Sequence, residues 1–577
     1  MEEKKSSTTF TKWKPIEIML AVLFLIAPFY YHPHIGGEGL RVPNNITVWM
    51  VATTIIWYSF YLTLKRPTFQ LPKYFIYIVA FPILITFSGF VTGVEQPLKW
   101  LFRLLFIWGG VAFFFSLFQH GLKQGRFDRI LFIIVVSALF HGLVGIAQLW
   151  LYKEMPFWLP TPLSAVPRGL FQQLNNQATY LVTAIMITIY LSTRPLVTKG
   201  TVWIPAVMVV TVASSSFLII LTSSRIGLLG LFLGLVIAVS TLWLRLNLNK
   251  RLSILLLISL VLGGMLGLNS SEDMVTTAAV DKTVAIQSGY SGSARLGIYS
   301  ISLDLIKQQP VFGHGIGSFP RVWQYAKPDF YQDHPNGVLP SLFVNHPHNE
   351  ILFWLVEGGF IAGIGLLAVL LAVIFALKKI GWQRGGAYAA MLLPIGLHTQ
   401  VEMPFYTSII HWILFVLLLS ILFQNSLVRR QLRLSAMAKK TVGYTSSVLL
   451  LIVLMFFAQT IRAQFDFVDF HYSPLSEQVS FEHAYANPYL RSEAQWINMS
   501  SILYSGIEKG LDDNVKVYVK WGEKLLLEKP DVDLYKKLAD GYYYLGQRDE
   551  FCSVITRGLE IYPSDQQFQQ AIEQCRY

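Results

Sequence analysis

The segment Asn345-His346-Pro347-His348-Asn349-Glu350 sets imidazole, amide and carboxylate groups directly before an apolar helical run, Ile351-Leu352-Phe353-Trp354-Leu355-Val356, which closes on Glu357-Gly358-Gly359. Polar groups at such a boundary cost free energy unless they are paired or used. An unperturbed imidazole titrates at about pH 6.5, so His348 can accept or give a proton close to neutrality. A lone histidine at a helix start reads as an interfacial anchor. The company of His346, Asn349 and Glu350, ahead of helix N–H groups that favour anions, turns the reading towards acid–base chemistry.

Two guanidinium groups qualify as anion holders. Arg225 follows Thr222-Ser223-Ser224 at the end of an apolar span, and Arg295 sits in the segment 294–306, whose apolar residues recur at helical spacing. Snorkelling and a solvated face are the plain alternatives. At ~4 Å and an effective dielectric of about 20, each arginine–phosphate pair contributes on the order of 4 kcal/mol before desolvation, so two arginines can hold a pyrophosphate without a metal. Within Pro167 to Asn176, the side chains of Arg168, Gln172 and Asn176 can contact sugar hydroxyls or merely cap a helix. His398, Gln400 and Glu402 cluster ahead of Pro404, where pairing between helices is the first reading. His32-Pro33-His34 reads as plain loop, and His314, between glycines, as structural.

Other chemistries leave no trace. The chain has no Gly-x-x-x-x-Gly-Lys phosphate loop and no His-Glu-x-x-His zinc pair, and over residues 1–461 no paired-aspartate metal motif. An ATP-driven pump and a metal-dependent glycosyltransferase are thereby disfavoured, and neither a metal nor a cofactor is expected.

These residues need a membrane scaffold. The chain is 53% hydrophobic and 14% charged, with a mean hydropathy of +0.48, which excludes an ordinary soluble enzyme. Apolar runs of about 18 to 25 residues, each long enough to cross a ~30 Å hydrocarbon core, recur along it. About thirteen such spans centre on Leu20, Ile56, Ala80, Ile107, Val136, Ile185, Val209, Val236, Leu257, Leu366, Ile395, Phe415 and Ile452. The expected fold is an all-α polytopic membrane protein. The basic start, Met1 to Lys14, leads into the first span without an Ala-x-Ala-like site and reads as an uncleaved signal anchor.

Charge sets the orientation. With the N-terminus inside, 23 basic residues, from Lys4 and Lys5 to Lys439 and Lys440, fall on the inner face, and 6 fall in the short outer loops and span ends. This obeys the positive-inside rule with no span inverted. The net charge of +12 is then a topology and anionic-lipid signal rather than a nucleic-acid groove. An odd number of spans puts the C-terminus outside, with both cysteines, Cys552 and Cys575. An oxidising compartment would allow them to pair.

Three regions follow: a helical bundle over 1–461, a large outer loop within it over 269–347, and a soluble tail over 462–577. The loop carries the amphipathic segment 294–306, ended by Pro310 and Gly313-His314-Gly315-Ile316-Gly317. The tail reads as helices 518–529, 532–545 and 549–561, broken at Pro530, Gly546 and Pro563. The proline spacing and Leu538-Ala539, Tyr542 and Leu545-Gly546 suit either a tetratricopeptide-like unit or a plain helical bundle.

His348-Asn349 followed by Leu352 and Gly359 resembles the signature of the bacterial O-antigen ligase and polymerase superfamily. Arg225 in Ser223-Ser224-Arg225 resembles that family's first essential arginine. Arg295 in Gly292-Ser293-Ala294-Arg295 resembles the second, followed by Pro310, Gly313, Gly315 and Phe319 in the family's Pro-x-x-Gly-x-Gly-x-x-x-Phe pattern. The resemblance covers roughly residues 200–423. Within the superfamily the chain looks most like the O-linked oligosaccharyltransferases that glycosylate pilins and other periplasmic proteins, on the strength of the segment 169–176 and the soluble extension.

The resemblance implies an enzyme of the bacterial inner membrane, with its N-terminus cytoplasmic and its C-terminus periplasmic. It implies metal-independent transfer of an oligosaccharide from undecaprenyl pyrophosphate to Ser or Thr hydroxyls of a pilin-like protein. Arg225 and Arg295 would hold the pyrophosphate, His348 would orient or deprotonate the acceptor, and Asn349 and Glu350 would fix its geometry. Arg168, Gln172, Asn176, His346 and Glu402 remain candidates for substrate contact. The partners implied are the lipid-linked donor, a protein or glycolipid acceptor and membrane lipids, with no nucleic acid. The nearest alternatives are an O-antigen ligase acting on lipid A–core and a repeat-unit polymerase. A transporter is the rival of a different class, but its polar groups would sit near the midplane.

Overall fold

The computed structural model describes residues 12–162, 164–287, 292–473 and 479–575, with backbone alone over 271–287 and 292–293. Lys4 and Lys5 of the basic start lie outside the described residues. All thirteen span centres fall on helices, and the chain is an all-α polytopic membrane protein. Ten of these helices are long and apolar enough to cross a membrane.

The other three fall short for identifiable reasons. Pro15–Leu25 is short and continues through a turn at Ala27–Phe29. Trp382–His398 has 17 residues. Leu174–Leu191 carries Asn176, Gln177, Thr179, Thr183 and Thr188, all buried among neighbouring helices. Protein rather than lipid covers that helix, so its polar side chains find partners inside the bundle.

Small residues let the central helices meet closely. A Cβ on Gly230 would stand 3.3 Å from the Pro394 Cα, and one on Gly386 would stand 2.1 Å from Thr241 Cγ2. Arg225–Leu248 and Trp382–His398 therefore run antiparallel in near contact. Gly227 faces Ala178 and Gly234 faces Met186, so Leu174–Leu191 runs parallel to the first of the two.

One end of the bundle gathers basic residues. Lys14 Nζ donates to the His120 carbonyl (2.8 Å), Glu17 pairs with Arg126 and with Arg129 (2.8 Å), and Arg194 pairs with Asp128 (3.1 Å). A two-stranded antiparallel sheet lies at the same end and was not anticipated. Strand β1, Thr68–Pro72, pairs with strand β2, Leu427–Gln431, with Phe69 opposite Arg430. Gln119 joins it by exchanging hydrogen bonds with the Gln70 backbone (3.0 and 2.8 Å).

The opposite end carries the loop and tail. The membrane-length part of Lys250–Gln287 ends at Ser270, beside the expected loop start at 269, and the helix continues beyond it. Gly292–Gln308 contains the expected amphipathic segment, and Phe319–Tyr325 and Lys327–Asp333 follow it. The last long apolar helix, Ala436–Tyr472, continues past 462 and leads into the tail. Beyond it, Arg491–Lys509, Asp512–Glu528, Val532–Tyr544 and Arg548–Ile561 form helical hairpins around Tyr518, Tyr535, Leu538 and Tyr562. Cys552 and Cys575 are disulfide-bonded. The tail docks on the loop, where Tyr325 Oη donates to the Leu526 carbonyl (2.8 Å) and Lys327 Nζ lies 4.3 Å from the Tyr562 ring.

Candidate active site

The helix Glu350–Ile380 begins with a side-chain cap. Asn349 Oδ1 accepts from the Leu352 N–H (3.0 Å), filling one of the orphan donors of the first turn. Asn349 Nδ2 donates to the Gln400 carbonyl (3.1 Å), and the Glu350 N–H donates to the Thr399 carbonyl (2.9 Å). The helix start is thus sewn to the turn after Trp382–His398. That turn is rooted in the bundle by His398 Nδ1 against Thr179 Oγ1 (2.9 Å).

Nine residues into the helix the backbone breaks at Gly359 (φ +60°, ψ −160°). The glycine-rich segment after Pro310 docks in the break: the His314 and Gly315 N–H groups donate to the Val356 and Glu357 carbonyls (2.9 and 3.0 Å), and the Phe360 N–H donates to the Pro310 carbonyl (2.7 Å). A Cβ on Gly359 would lie 2.3 Å from the Val311 carbonyl oxygen, and one on Gly313 would lie 2.5 Å from the Glu357 carbonyl carbon. The two glycine motifs are therefore halves of one joint, which fixes the loop helix bearing Arg295 beside the helix that follows His348. His314 is structural, with Nε2 against the Leu305 carbonyl (2.9 Å).

Glu402 is the hub. Its Oε2 meets His348 Nδ1 at 3.0 Å and its Oε1 meets Arg295 Nη2 at 2.8 Å. The His348 and Glu402 side chains are 13% and 11% exposed, whereas Arg295 keeps 35%. Burial pushes the Glu402 carboxyl up, but the His348 hydrogen bond and the charges of His348, Arg295 and His346 outweigh it and hold the group at about 2. Burial dominates at His348 and lowers its pKa, with Glu402 offsetting only part of that. At neutral pH the pair is therefore a carboxylate and a neutral imidazole. The hydrogen-bond network then assigns the imidazole proton to Nδ1, facing Glu402, and leaves the basic lone pair on Nε2.

His348 adopts φ +55°, a left-handed conformation that a non-glycine residue holds at a cost of about 1 kcal/mol or more. Its N–H donates to His346 Nδ1 (3.3 Å), and His346 Nε2 in turn meets Glu38 Oε1 (3.1 Å). Burial lowers the His346 pKa, yet the hydrogen bond and charge of Glu38 reverse this and raise it. Glu38 is correspondingly lowered: burial opposes the change, and His346, Arg103 and Arg41 overcome it.

The remaining candidates separate into groups. Glu350 points aside, with Oε2 accepting from Trp354 Nε1 (3.0 Å). Arg225 is exposed at the start of its helix, just after Ser223 (φ +49°) and the capping Ser224. Ser224 Oγ donates to Asn175 Oδ1 (2.7 Å). The packing of Gly230 on Pro394 puts Arg225 at the same end of the bundle as His398 and Glu402. No hydrogen bond or ion pair joins it to His348 or Arg295 among the described residues. Gln172 does not point to the hub; it exchanges hydrogen bonds with the Gly37 backbone (3.0 Å each way). Asn176 is buried against Thr407 Oγ1 (2.9 Å), a bundle contact. Arg168 lies in the turn before that helix, its N–H on the Val166 carbonyl (3.0 Å).

Two residues escaped the sequence reading. Glu38 lies in the loop set aside as plain, and an acid between glycines on the face poor in charge was the available signal. Arg103 pairs with Glu357 (3.1 Å) and lies over the Phe353 and Tyr406 rings (4.4 and 5.4 Å). Among the described residues no three His, Cys, Asp or Glu side chains converge to hold a metal ion.

The O-antigen ligase family model matches residues 209–367, from the helix before Arg225 through His348 and beyond the Gly359 joint. A second model, described as the C-terminal part of virulence factor membrane-bound polymerases, matches residues 387–576 and takes in Glu402 and the tail. The chain belongs to the O-antigen ligase superfamily. No curated protein matches it. Like the ligases and polymerases of that superfamily, it is a membrane enzyme of glycosyl transfer from a lipid-linked donor. A carboxylate-oriented imidazole beside a half-exposed guanidinium suits that chemistry, since one can take a proton and the other can balance anionic charge.

Proposed function

We propose that this ligase-superfamily member transfers an oligosaccharide en bloc from undecaprenyl pyrophosphate to Ser or Thr hydroxyls of periplasmic proteins such as pilin. The observation that carries the chemistry is the Glu402–His348 pair beside Arg295. His348 Nε2 takes the proton of the acceptor hydroxyl. The hydroxyl oxygen bonds to the anomeric carbon as the bond from that carbon to the pyrophosphate oxygen breaks, and the departing pyrophosphate keeps the electron pair. Arg295 and Arg225 hold the pyrophosphate and stabilise its growing charge. In-line attack inverts the anomeric centre. Asn349 and Glu350 fix the geometry of His348 by tying the helix start to the Gln400 and Thr399 carbonyls.

In this reading the enzyme sits in the bacterial inner membrane with its N-terminus cytoplasmic. A transferase bundle spans 1–461 and includes the loop 269–347, and residues 462–577 form a periplasmic helical domain. The disulfide of that domain supports an oxidising compartment. The basic residues collect at the end opposite Glu402, as expected of a cytoplasmic face.

A second reading, repeat-unit polymerisation, is favoured by the match of the tail region to polymerases; ligation to lipid A–core is its companion. One experiment separates all three. Purified protein in proteoliposomes is given lipid-linked oligosaccharide with a pilin-type peptide, with lipid A–core, or with no other acceptor, and products are weighed by mass spectrometry. A glycan-sized gain on peptide Ser or Thr, lost in His348→Ala, supports protein glycosylation. Modified glycolipid alone, or lengthened donor alone, refutes it in favour of the corresponding alternative.

A further inference from the structure

The turn Gly36–Arg41 is short, yet it is held from four directions. The Gly37 backbone is gripped by Gln172 (3.0 Å each way), and the Gly39 carbonyl accepts from Asn45 Nδ2 (3.0 Å). The Leu40 carbonyl accepts from Gln464 Nε2 at the outer end of the last apolar helix (2.7 Å). The Tyr489 hydroxyl uses both of its roles here, accepting from the Leu40 N–H (3.2 Å) and donating to the Glu38 carbonyl (3.3 Å). Arg41 pairs with Glu493 of the tail (2.5 Å). Towards the hub the turn sends the side chain of Glu38, which meets His346 Nε2 (3.1 Å).

The proton count along this chain is restrictive. For His346 Nδ1 to accept the His348 N–H, that nitrogen must carry a lone pair, so its proton sits on Nε2 and points at Glu38. A protonated His346 would set an N–H against the His348 N–H and break the link. The hold of His346 on the strained backbone of His348 therefore lasts only while His346 is neutral.

Resting on the reading of His348 as the base, we infer that Glu38 is a positioning residue for glycosyl transfer. Through His346 it holds the left-handed backbone of His348, and through Tyr489 and Arg41 it ties that hold to the C-terminal region. The charged groups facing His346 are Glu38, Glu402 and Glu350; those facing Glu38 are His346, Arg103 and Arg41; those facing His348 are Glu402, His346 and Arg295. The sign follows. Glu38 raises the His346 pKa, so the link is intact above the raised value and is lost as pH falls through it. His348 itself titrates lower. The acid limb of the rate profile accordingly reports His346.

The test compares full-length wild type, Glu38→Ala and Glu38→Gln in proteoliposomes, reading kcat, KM and the pH profile. In parallel, the carbethoxylation rates of His346 and His348 are read by peptide mass spectrometry from pH 5 to 8. Glu38→Ala is expected to lower kcat about tenfold or more while KM stays within about twofold. Glu38→Gln still accepts the Nε2 proton, so it restores the plateau kcat but moves the acid limb to lower pH. Carbethoxylation needs a neutral imidazole, so in Glu38→Gln His346 reacts at lower pH than in wild type. A wild-type kcat in Glu38→Ala, or an unmoved acid limb in Glu38→Gln, overturns the inference. Should Glu38→Ala fold poorly, the isosteric Glu38→Gln profile decides alone. Should wild type transfer no glycan at all, the proposed function fails and the labelling decides: unchanged His346 and His348 rates in both variants overturn the positioning role.

Discussion

Replacing Glu402 by glutamine removes one charge and almost no volume, and the hub geometry leaves the amide no good orientation. Oε1 serves Arg295 at 2.8 Å and Oε2 serves His348 Nδ1 at 3.0 Å, and both partners are donors. A glutamine amide must turn its NH2 towards one of them. Facing Arg295, it sets donor against donor. Facing His348, it forces Nδ1 to accept, moves the imidazole proton to Nε2 and removes the base. The carboxyl at about 2 instead of 4.5 corresponds to about 3 kcal/mol favouring its charged form. The share owed to Arg295 persists above the unfolded carboxyl pKa and is lost as pH falls through about 2, whereas the share owed to the charges of His348 and His346 fades as those imidazoles become neutral, so less than the whole operates at pH 7. Glu402→Gln should therefore cost up to about 3 kcal/mol of stability and, through the lost tautomer, about 10²- to 10⁴-fold in kcat. The assay is initial-rate transfer from lipid-linked oligosaccharide in proteoliposomes at pH 7, with thermal unfolding of the same samples. A folded Glu402→Gln protein with kcat within about threefold of wild type would refute the orienting role.

Arg225→Ala should weaken donor binding and leave the pH profile of kcat in place, because Arg225 is exposed and, among the described residues, makes no hydrogen bond or ion pair with the hub; titration with a non-transferable lipid pyrophosphate measures this. Gly359→Ala meets both a positive φ and the Val311 carbonyl at 2.3 Å, so a loss of about 1–3 kcal/mol or more is expected, read as a lower melting temperature with transfer lost in parallel. Cys552→Ser opens a loop closed over a sequence separation of 23, worth about 3 kcal/mol in a chain-entropy estimate. Limited proteolysis should then cut the tail before the bundle, while reductant sensitivity disappears.

Local signals carried the scaffold well because membrane helices announce themselves through length and composition. Each span centre lies on a helix, and the tail breaks at Pro530, Gly546 and Pro563 fall between helices. The site was half legible. His348, Arg295, Asn349 and Glu402 all stand at the hub, yet Glu402 reads alone as an acid ahead of a proline, and only tertiary contact makes it the partner of both. Gln172 and Asn176 read equally as sugar contacts or as helix caps, and only tertiary contact shows Gln172 on the Gly37 backbone and Asn176 on Thr407. Glu38 was illegible because its partner, His346, is more than 300 positions away in the chain. The meeting of Gly313 with Gly359 was hidden for a similar reason: each glycine is visible, and their shared joint is not.

The small sheet at the basic end has a temporal consequence. Strand β1 ends at Pro72 and β2 begins at Leu427, so the first edge emerges from the ribosome long before its mate exists. At about 5–20 residues per second, that edge stays unpaired for on the order of tens of seconds. Unsatisfied strand backbone is a template for wrong pairing. Closure of β1 thus waits for the late part of the chain, and a stalled or truncated nascent chain that lacks β2 would leave this seam open to wrong partners.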